Sequence, residues 1–375
     1  MAKDSQYYKD KETNLRLKYA EYVGILPYFV KDFLQSKVKR NANTGVAYAK
    51  DLLVFFKYLE EFSPLVKGTS IRDIDIDVLN KLTYRDINEY QDFLSKDNPE
   101  ITGTDGYAND VKAVNRKISA LRGLYKYLVS HHEIENDPTA GADITRVNRN
   151  EHEIVRMNNS EVSKLLETVQ DGVGSERQRA YLERTKKRDY AILQLLLNTG
   201  IRVSECVGLD LSDVNFNENS MTVVRKGKKT NTLYFDDDLA DILKDYIDNE
   251  RPDYIEDEKE PALFMSQQKT RMTARSIERM VKKYAGSAVS NKHITPHKMR
   301  STYGTALYNQ TGDIRLVADV LGHSSVNTTA DYYAAVDDLR RRRAAQVKPY
   351  DEIEDETSAV IKVLKKNEDS DKKTK

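Results

Sequence analysis

A mainly α-helical chain of two domains, with one small antiparallel β-sheet, is predicted by three features of the sequence. Apolar residues recur at helical spacing through most of its 375 residues. The region 221–235 switches to β-branched and aromatic composition around a Lys-Gly-Lys-Lys turn, which reads as a hairpin. Residues 137–155 lack periodicity and are rich in Asn, Asp, Gly and Arg, the composition of a connection between domains. The length agrees, since 375 residues accommodate about two domains. The expected organisation is a flexible, polar N-terminus over 1–18, a helical domain over 19–136, a linker over 137–155, a mixed α+β domain over 156–348 and a tail over 349–375.

Each element has a local signal. A helix is expected from Tyr22 to Ser36, with Pro27 near its start and Leu26, Tyr28, Phe29, Phe33 and Leu34 as its apolar residues. In the next, from Thr44 to Phe62, Leu52, Phe55, Phe56, Leu59 and Phe62 form a stripe on one face, and Ser63-Pro64 ends it. Thr83 caps a helix that turns Ile87, Tyr90 and Leu94 inward. A long helix from about Tyr107 to His131 follows, with Val114, Ile118, Leu121, Tyr125 and Leu128 as its core stripe. Lys112, Arg116, Arg122 and Lys126 lie mostly off that stripe. A basic helix face of this kind can contact DNA phosphates or enter a groove, or simply be solvated.

Beyond the linker, Asn158 to Ser160 cap a helix over 161–168. The helix over 186–197 is strongly apolar and stops at Asn198-Thr199-Gly200, and a short helix surrounds 202–207. Strands are expected at 221–225, 230–235 and 262–265. Asp236 to Asp238 sit at the favourable N-terminal end of the next helix. Further helices cover 273–284 and the stretch capped by Thr295 with Pro296 at its first position. A helix over 313–321 closes at Gly322, and Tyr332 lies on the helix after it.

Composition narrows the function class. Sixty basic and sixty acidic residues cancel, so the location of charge matters more than its sum. Basic groups gather at 37–40, 184–188, 225–229 and 340–343, and acidic groups at 236–238, 256–260 and 351–356. Cys206 is the only cysteine, which excludes an internal disulfide and a multi-cysteine metal site. The start, MAKDSQYYKDKETN, lacks the apolar core of a secretory signal, and no run approaches the roughly 18 apolar residues of a membrane span. These features lead to the expectation of a soluble cytoplasmic protein that uses no cofactor or metal and no membrane.

The chemistry-bearing residues concentrate between 199 and 333. Arg202 follows Asn198-Thr199-Gly200-Ile201, and Glu205 comes three residues later. Lys226 opens the hairpin turn. His297 and Arg300 are one helical turn apart, His323 follows Leu321-Gly322, and Tyr332 comes nine residues later. This set suits a phosphodiester, whose oxygens repel nucleophiles and whose leaving alkoxide is poor. Arginine forks bond two phosphate oxygens and keep their charge. A lysine can protonate the leaving oxygen if its site lowers its pKa. A tyrosine can attack once deprotonated, its free pKa being about 10. Each residue alone has an ordinary reading: a surface ion pair, a solvated turn, a capped histidine, or one core tyrosine among 23. Their joint order and spacing changes the balance.

That order resembles the tyrosine recombinase (integrase) family. TGIRVSE resembles its first box, TPHKMR its second and LGHSSVNTTADYY its third. The stretch LPYFVKDFLQSK and the overall length are most similar to the single-recombinase Xer, XerS-like, branch. The resemblance implies a two-domain C-shaped clamp, in which a helical core-binding (SAM-like) DNA-binding domain precedes the catalytic domain. It implies Arg202 and Arg300 as the phosphate clamp and Lys226 as the acid for the 5′-hydroxyl. His297 would handle the proton of the nucleophile, His323 would bond a non-bridging oxygen, and Tyr332 would attack. Glu205 would support from behind, and Lys112, Arg116, Arg122 and Lys126 would contact DNA.

Tyr333 adjoins Tyr332, and the spacing from His323 favours Tyr332. Many relatives carry histidine after the second-box arginine, where this chain has Ser301. The partners implied are double-stranded DNA with a specific site and a homo-tetramer on two such sites, with any accessory protein unknown. The apolar patch Ala359 to Leu364 is the candidate for exchange between neighbours, with docking on its own domain or a frayed helix as the alternative reading. Xer-type chromosome dimer resolution is the leading expectation. A mobile-element integrase, a type IB topoisomerase, an idle DNA-binding relative and a metal-dependent nuclease are the alternatives.

Overall fold

The computed structural model describes residues 5–96, 109–143, 155–225, 229–257 and 259–323. These are mostly helical, with one three-stranded sheet in the order β1-β2-β3. Two compact units emerge. One comprises Met1–Glu153, Gly208–Asp213 and Thr222–Thr232, and the other Ile154–Val207, Val214–Met221 and Leu233–Lys375. Among the described residues, no helix is long and apolar enough to cross a membrane.

The first unit is built from α1 (Gln6–Ile25), α2 (Val30–Arg40), α3 (Ala42–Phe62), α4 (Ile76–Lys81), α5 (Tyr84–Ser95) and α6 (Val111–Ser130). One apolar core joins them, including Phe33, Leu52, Phe55, Phe56, Leu79, Ile87, Tyr90, Leu94, Ile118, Leu121 and Tyr125. Aromatic rings dominate part of it: Phe55 and Tyr58 each pack on Tyr90 with centroids 5.1 Å apart. The buried hydroxyl of Tyr125 donates to the Leu79 carbonyl at 3.1 Å, which ties α6 to α4.

Three expectations shift here. The N-terminal stretch expected to be flexible to residue 18 is helical from Gln6, and Tyr19, Tyr22 and Val23 pack against the core. The single helix expected from Tyr22 to Ser36 is two, because Pro27 lacks an N–H and forces the preceding residue out of the helical region. Leu26 accordingly sits at φ −73°, ψ 154°, and Tyr28 is 82% exposed between the helices. Phe62, the last residue of the α3 stripe, is 54% exposed, although its ring packs against Phe93 with centroids 5.3 Å apart.

The chain beyond α6 stays on this unit. Pro138–Ala140 is a 3-10 turn capped by Asp137, whose carboxylate accepts the Thr139 N–H at 2.9 Å. Thr139 is fully buried, and its carbonyl receives the Arg122 guanidinium at 2.9 Å.

The second unit holds α7 (Asn159–Asp171), α8 (Glu176–Glu183), α9 (Lys186–Thr199) and α10 (Val203–Val207), followed by α11 (Asp237–Asn249), α12 (Ala274–Ala288), α13 (Pro296–Thr311) and α14 (Ile314–Leu321). Strands β1 (Val214–Asn215), β2 (Ser220–Val224) and β3 (Thr230–Tyr234) form the sheet, with Val214 opposite Met221 in an antiparallel pair. Residues 262–265, expected as a strand, are buried but make only an isolated bridge from Met265 to Arg271.

Helix α9 is the central beam, with Ala191, Ile192, Leu193, Leu195 and Leu196 fully buried. Thr185 at its start contributes no side-chain cap. The cap comes from a distance instead. Glu250 accepts the backbone N–H of Lys187 at 2.7 Å and that of Arg188 at 3.2 Å. Behind it, the buried Asp189 receives Arg188 at 2.7 Å and the Tyr284 hydroxyl at 2.9 Å.

Candidate active site

Helix α9 ends where the candidate site begins. Gly200 takes a left-handed conformation, φ 60° and ψ 24°. A Cβ there would press on the Tyr303 ring and the Leu321 side chain, so only glycine fits the turn. Two residues on, Arg202 is held on three sides. Its backbone N–H bonds Glu205 Oε2 at 3.0 Å, its Nη1 bonds Glu205 Oε1 at 2.7 Å, and its Nη2 donates to the Gly322 carbonyl at 2.9 Å. Glu205 is buried and fixes the fork, while the arginine side chain stays 37% exposed.

Arg300 enters from α13, one turn behind its Thr295 cap. It is only 4% exposed. Its guanidinium donates to the carbonyl oxygens of Gly200 and Leu321. Arg202 and Arg300 therefore converge on the C-terminal end of α14, bonding the successive carbonyls of Leu321 and Gly322. Gly322 is again left-handed, φ 60° and ψ 50°, and delivers His323, whose N–H bonds the Ala318 carbonyl at 2.9 Å. Residues from three distant boxes thus meet in one place.

His297 lies on the first turn of α13. Partial burial and then the guanidinium groups of Arg300 and Arg202 lower its pKa below the usual 6.5. It is therefore a neutral imidazole near neutral pH, able to accept a proton. Ser301 donates to the His297 carbonyl at 3.0 Å, an ordinary helical back-bond. Cys206 is fully buried beside Glu205, and burial pushes its thiol far up, so it behaves as a small apolar residue.

Lys226, Tyr332, Tyr333 and the Ala359 to Leu364 patch lie outside the described residues. On either side of residues 226–228, the Arg225 N–H donates to the Lys229 carbonyl at 2.8 Å.

The basic face of α6 divides. Arg116 pairs with the buried Asp51. Arg122 is engaged by the Thr139 carbonyl. Lys112 and Lys126 are exposed. Sequence reading did not find Glu250 or the Asp189 cluster. The one available signal was a long apolar helix beginning at Lys186 without a capping residue of its own.

The family model described as "Phage integrase family" matches residues 155–340. A tyrosine recombinase XerC from Caldanaerobacter subterraneus subsp. tengcongensis is 32% identical over 338 residues, covering 88% of each chain. A tyrosine recombinase XerS from Streptococcus uberis is 33% identical over 348 residues, covering 86% of this chain and 96% of the relative. Among solved structures, the XerH site-specific recombinase in a post-cleavage complex with palindromic difH substrate aligns over 89% of this chain and 94% of its own. Its TM-score is 0.60 at 20% identity. A lambda integrase dimer bound to a COC′ core site aligns with a TM-score of 0.56 at 12% identity, covering 81% of this chain and 75% of its own. These last two likenesses concern the fold.

Proposed function

This chain belongs to the tyrosine recombinase family of DNA-cleaving and rejoining enzymes, and from that membership we propose the following reaction. Tyr332 attacks the phosphorus of a scissile phosphodiester at a specific DNA site. The bond to the 5′-oxygen breaks, leaving a 3′-phosphotyrosyl link and a 5′-hydroxyl. A 5′-hydroxyl from the partner duplex then attacks the same phosphorus, and the tyrosine oxygen leaves. Bond energy is kept in the phosphotyrosyl link, so rejoining draws on no nucleotide.

One observation supports this reading above the others: Arg202 and Arg300 meet at the end of α14, next to His323 in sequence, and both guanidinium groups are near enough to His297 to lower its pKa. In the proposed scheme the two guanidinium groups stabilise the charge that builds on the phosphoryl oxygens, and His323 bonds one of them. His297, neutral, takes the tyrosine proton. Lys226 protonates the departing 5′-oxygen, and Glu205 keeps the Arg202 fork oriented. Lys112 and Lys126 are the members of the α6 face left to meet the DNA backbone.

The Xer-named relatives favour a Xer-type role, chromosome dimer resolution in the cytoplasm, over mobile-element integration. Four protomers on two sites, exchanging the Ala359 to Leu364 segment, complete the scheme. The test is a nicked suicide duplex carrying a site selected by the protein from random DNA, incubated without metal. A covalent adduct lost in Tyr332→Phe and kept in Tyr333→Phe is the expected result. Relaxation of plasmid lacking any site would replace the scheme with a topoisomerase. Deletion from Ser358 onward should spare DNA binding and impair strand exchange.

A further inference from the structure

Among the buried residues of α3, Asp51 is the one that carries a charge, and it directly precedes the buried run Leu52 to Phe56. Burying a carboxylate is costly unless it is paired. Its Oδ2 accepts Nη1 of Arg116 on α6, while its Oδ1 has no hydrogen-bond partner. Lys117, the next cation along α6, is turned onto the Asn109 side chain at 2.7 Å. A buried pair satisfied on one side only adds little stability over an apolar residue of like size. What it does is fix the position of a guanidinium.

The outer end of the pair is open. The Arg116 side chain is 48% exposed, with Asp51 sealed behind it at 1%. Arg116 is held through Nη1 alone, and among the described residues its Nε and Nη2 donate to nothing. Those two atoms form one edge of the fork, with parallel N–H groups. Arg122, six residues along the same helix, has that edge committed: its Nε and Nη2 both donate to the Thr139 carbonyl, at 3.3 and 2.9 Å.

The surroundings of Arg116 are low. Ser119, one turn on, is exposed and returns its hydroxyl to the Asn115 carbonyl at 2.7 Å. Thr44 and Ala47 stand on the side of α3 that carries Asp51, seven and four residues before it. Short side chains around a taller, anchored arginine let a flat ligand edge reach it.

Two parallel donors held in place suit two adjacent acceptors in one plane. The major-groove edge of guanine, with N7 beside O6, offers that pattern in DNA. We propose that Arg116 reads a guanine of the recombination site and that Asp51 is the positioning residue that aims it. The inference deepens the site-specific recombination proposed above and rests on it, naming a residue that chooses sequence rather than one that cuts. Anchoring reduces the rotamer freedom an arginine gives up on binding, and it keeps both N–H groups in register with the base.

The test is selection of binding sites from random duplex DNA by the full chain, run in parallel with Arg116→Lys and Asp51→Asn. Lysine keeps the charge and loses the fork. Asparagine keeps the shape and replaces a charged bond by a neutral one. In the wild type, one G·C position should be preferred over the other base pairs by roughly five- to a hundredfold. In Arg116→Lys that preference should vanish while the other positions of the site stay selected. Asp51→Asn should lower the preference at the same position, although residue 51 is too buried to touch DNA. Added to Arg116→Lys, it should change nothing further there. Replacing the chosen guanine by 7-deazaguanine, which lacks the N7 acceptor, should weaken wild-type binding and leave that of Arg116→Lys little altered.

An identical selected site in Arg116→Lys would overturn the proposal. So would a loss of affinity in Arg116→Gln that is equal on selected and random duplexes, which would make the residue a phosphate contact. An Asp51→Asn protein that melts lower yet keeps the full preference would leave the pair purely structural and overturn the aiming role. A wild-type chain that selects no site at all would overturn the site-specific reading together with this one.

Discussion

Arg202 donates to the carbonyl oxygen of Gly322 at 2.9 Å, across 120 positions of sequence. With Arg300 on the neighbouring Leu321 carbonyl, this places both guanidinium groups on the negative end of a helix. The clamp expected to hold phosphate therefore also anchors the segment that leads toward Tyr332.

Replacing Arg300 should expose that double role. Arg300→Lys keeps the charge and loses the fork, so one carbonyl is left without its donor. Covalent adduct formation should fall by about two to three orders of magnitude, as for loss of one preorganised donor. Hydrogen exchange at the amides of 318–323 should rise in the DNA-free protein. Unchanged exchange with a large loss of cleavage would confine Arg300 to the phosphate.

Glu205 should matter through Arg202. In Glu205→Gln a charged bond at 2.7 Å becomes a neutral one, which should cost about 1–2 kcal/mol of stability. Single-turnover cleavage should slow while duplex affinity changes little. A large loss of affinity with unaltered cleavage would contradict the positioning role.

His297 sets a pH limit. Burial, Arg300 and Arg202 hold its pKa below 6.5, so the neutral form persists as pH falls past that value. The acid limb of adduct formation should lie below pH 6.5 and disappear in His297→Gln. Stability should show the same sign: the unfolded chain takes up the proton first, so acidification below 6.5 favours unfolding. Rate-against-pH profiles of both proteins would settle it.

Glu250 carries the opposite sign. Burial raises its carboxyl from 4.5 to about 7. Between those values the folded chain keeps a proton that the unfolded chain has released, so its contribution to stability falls as pH rises from 4.5 to 7. Melting temperature measured over that range should vary less in Glu250→Gln, which still offers one oxygen to the α9 N-terminus. An equally steep dependence in the variant would move the effect to another group.

The α6 face should split in the same way as its geometry. Lys112→Gln and Lys126→Gln should each flatten the salt slope of duplex binding by about 0.9 if each neutralises one phosphate. Arg122→Gln should lower the melting temperature, because the buried Thr139 carbonyl loses its donor, and leave the slope alone. A changed slope for Arg122 would mean that it leaves Thr139 to reach DNA.

Much of this was readable in advance where the cause is local. The core stripe Val114, Ile118, Leu121, Tyr125 and Leu128 is buried throughout, because helical periodicity is a property of neighbours in sequence. The glycines at 200 and 322 mark left-handed turns for the same reason. Pro27 also acts locally, and the break it makes between α1 and α2 was available to a stricter reading of proline.

The sequence by itself determined which chemical groups exist, their order, and the helix and turn signals that place each at the end or on the face of an element. Tertiary structure decided which of those groups are engaged by one another. Arg116 and Arg122 looked alike as basic residues on one helix face, yet one meets Asp51 across 65 positions and the other the Thr139 carbonyl across 17. Glu250 caps a helix that begins more than 60 residues earlier, and Thr305 alone among similar hydroxyls on its helix is left without a partner. A hydrogen bond depends on a few ångströms and an angle, and only the packing of whole elements sets these for residues far apart in the chain.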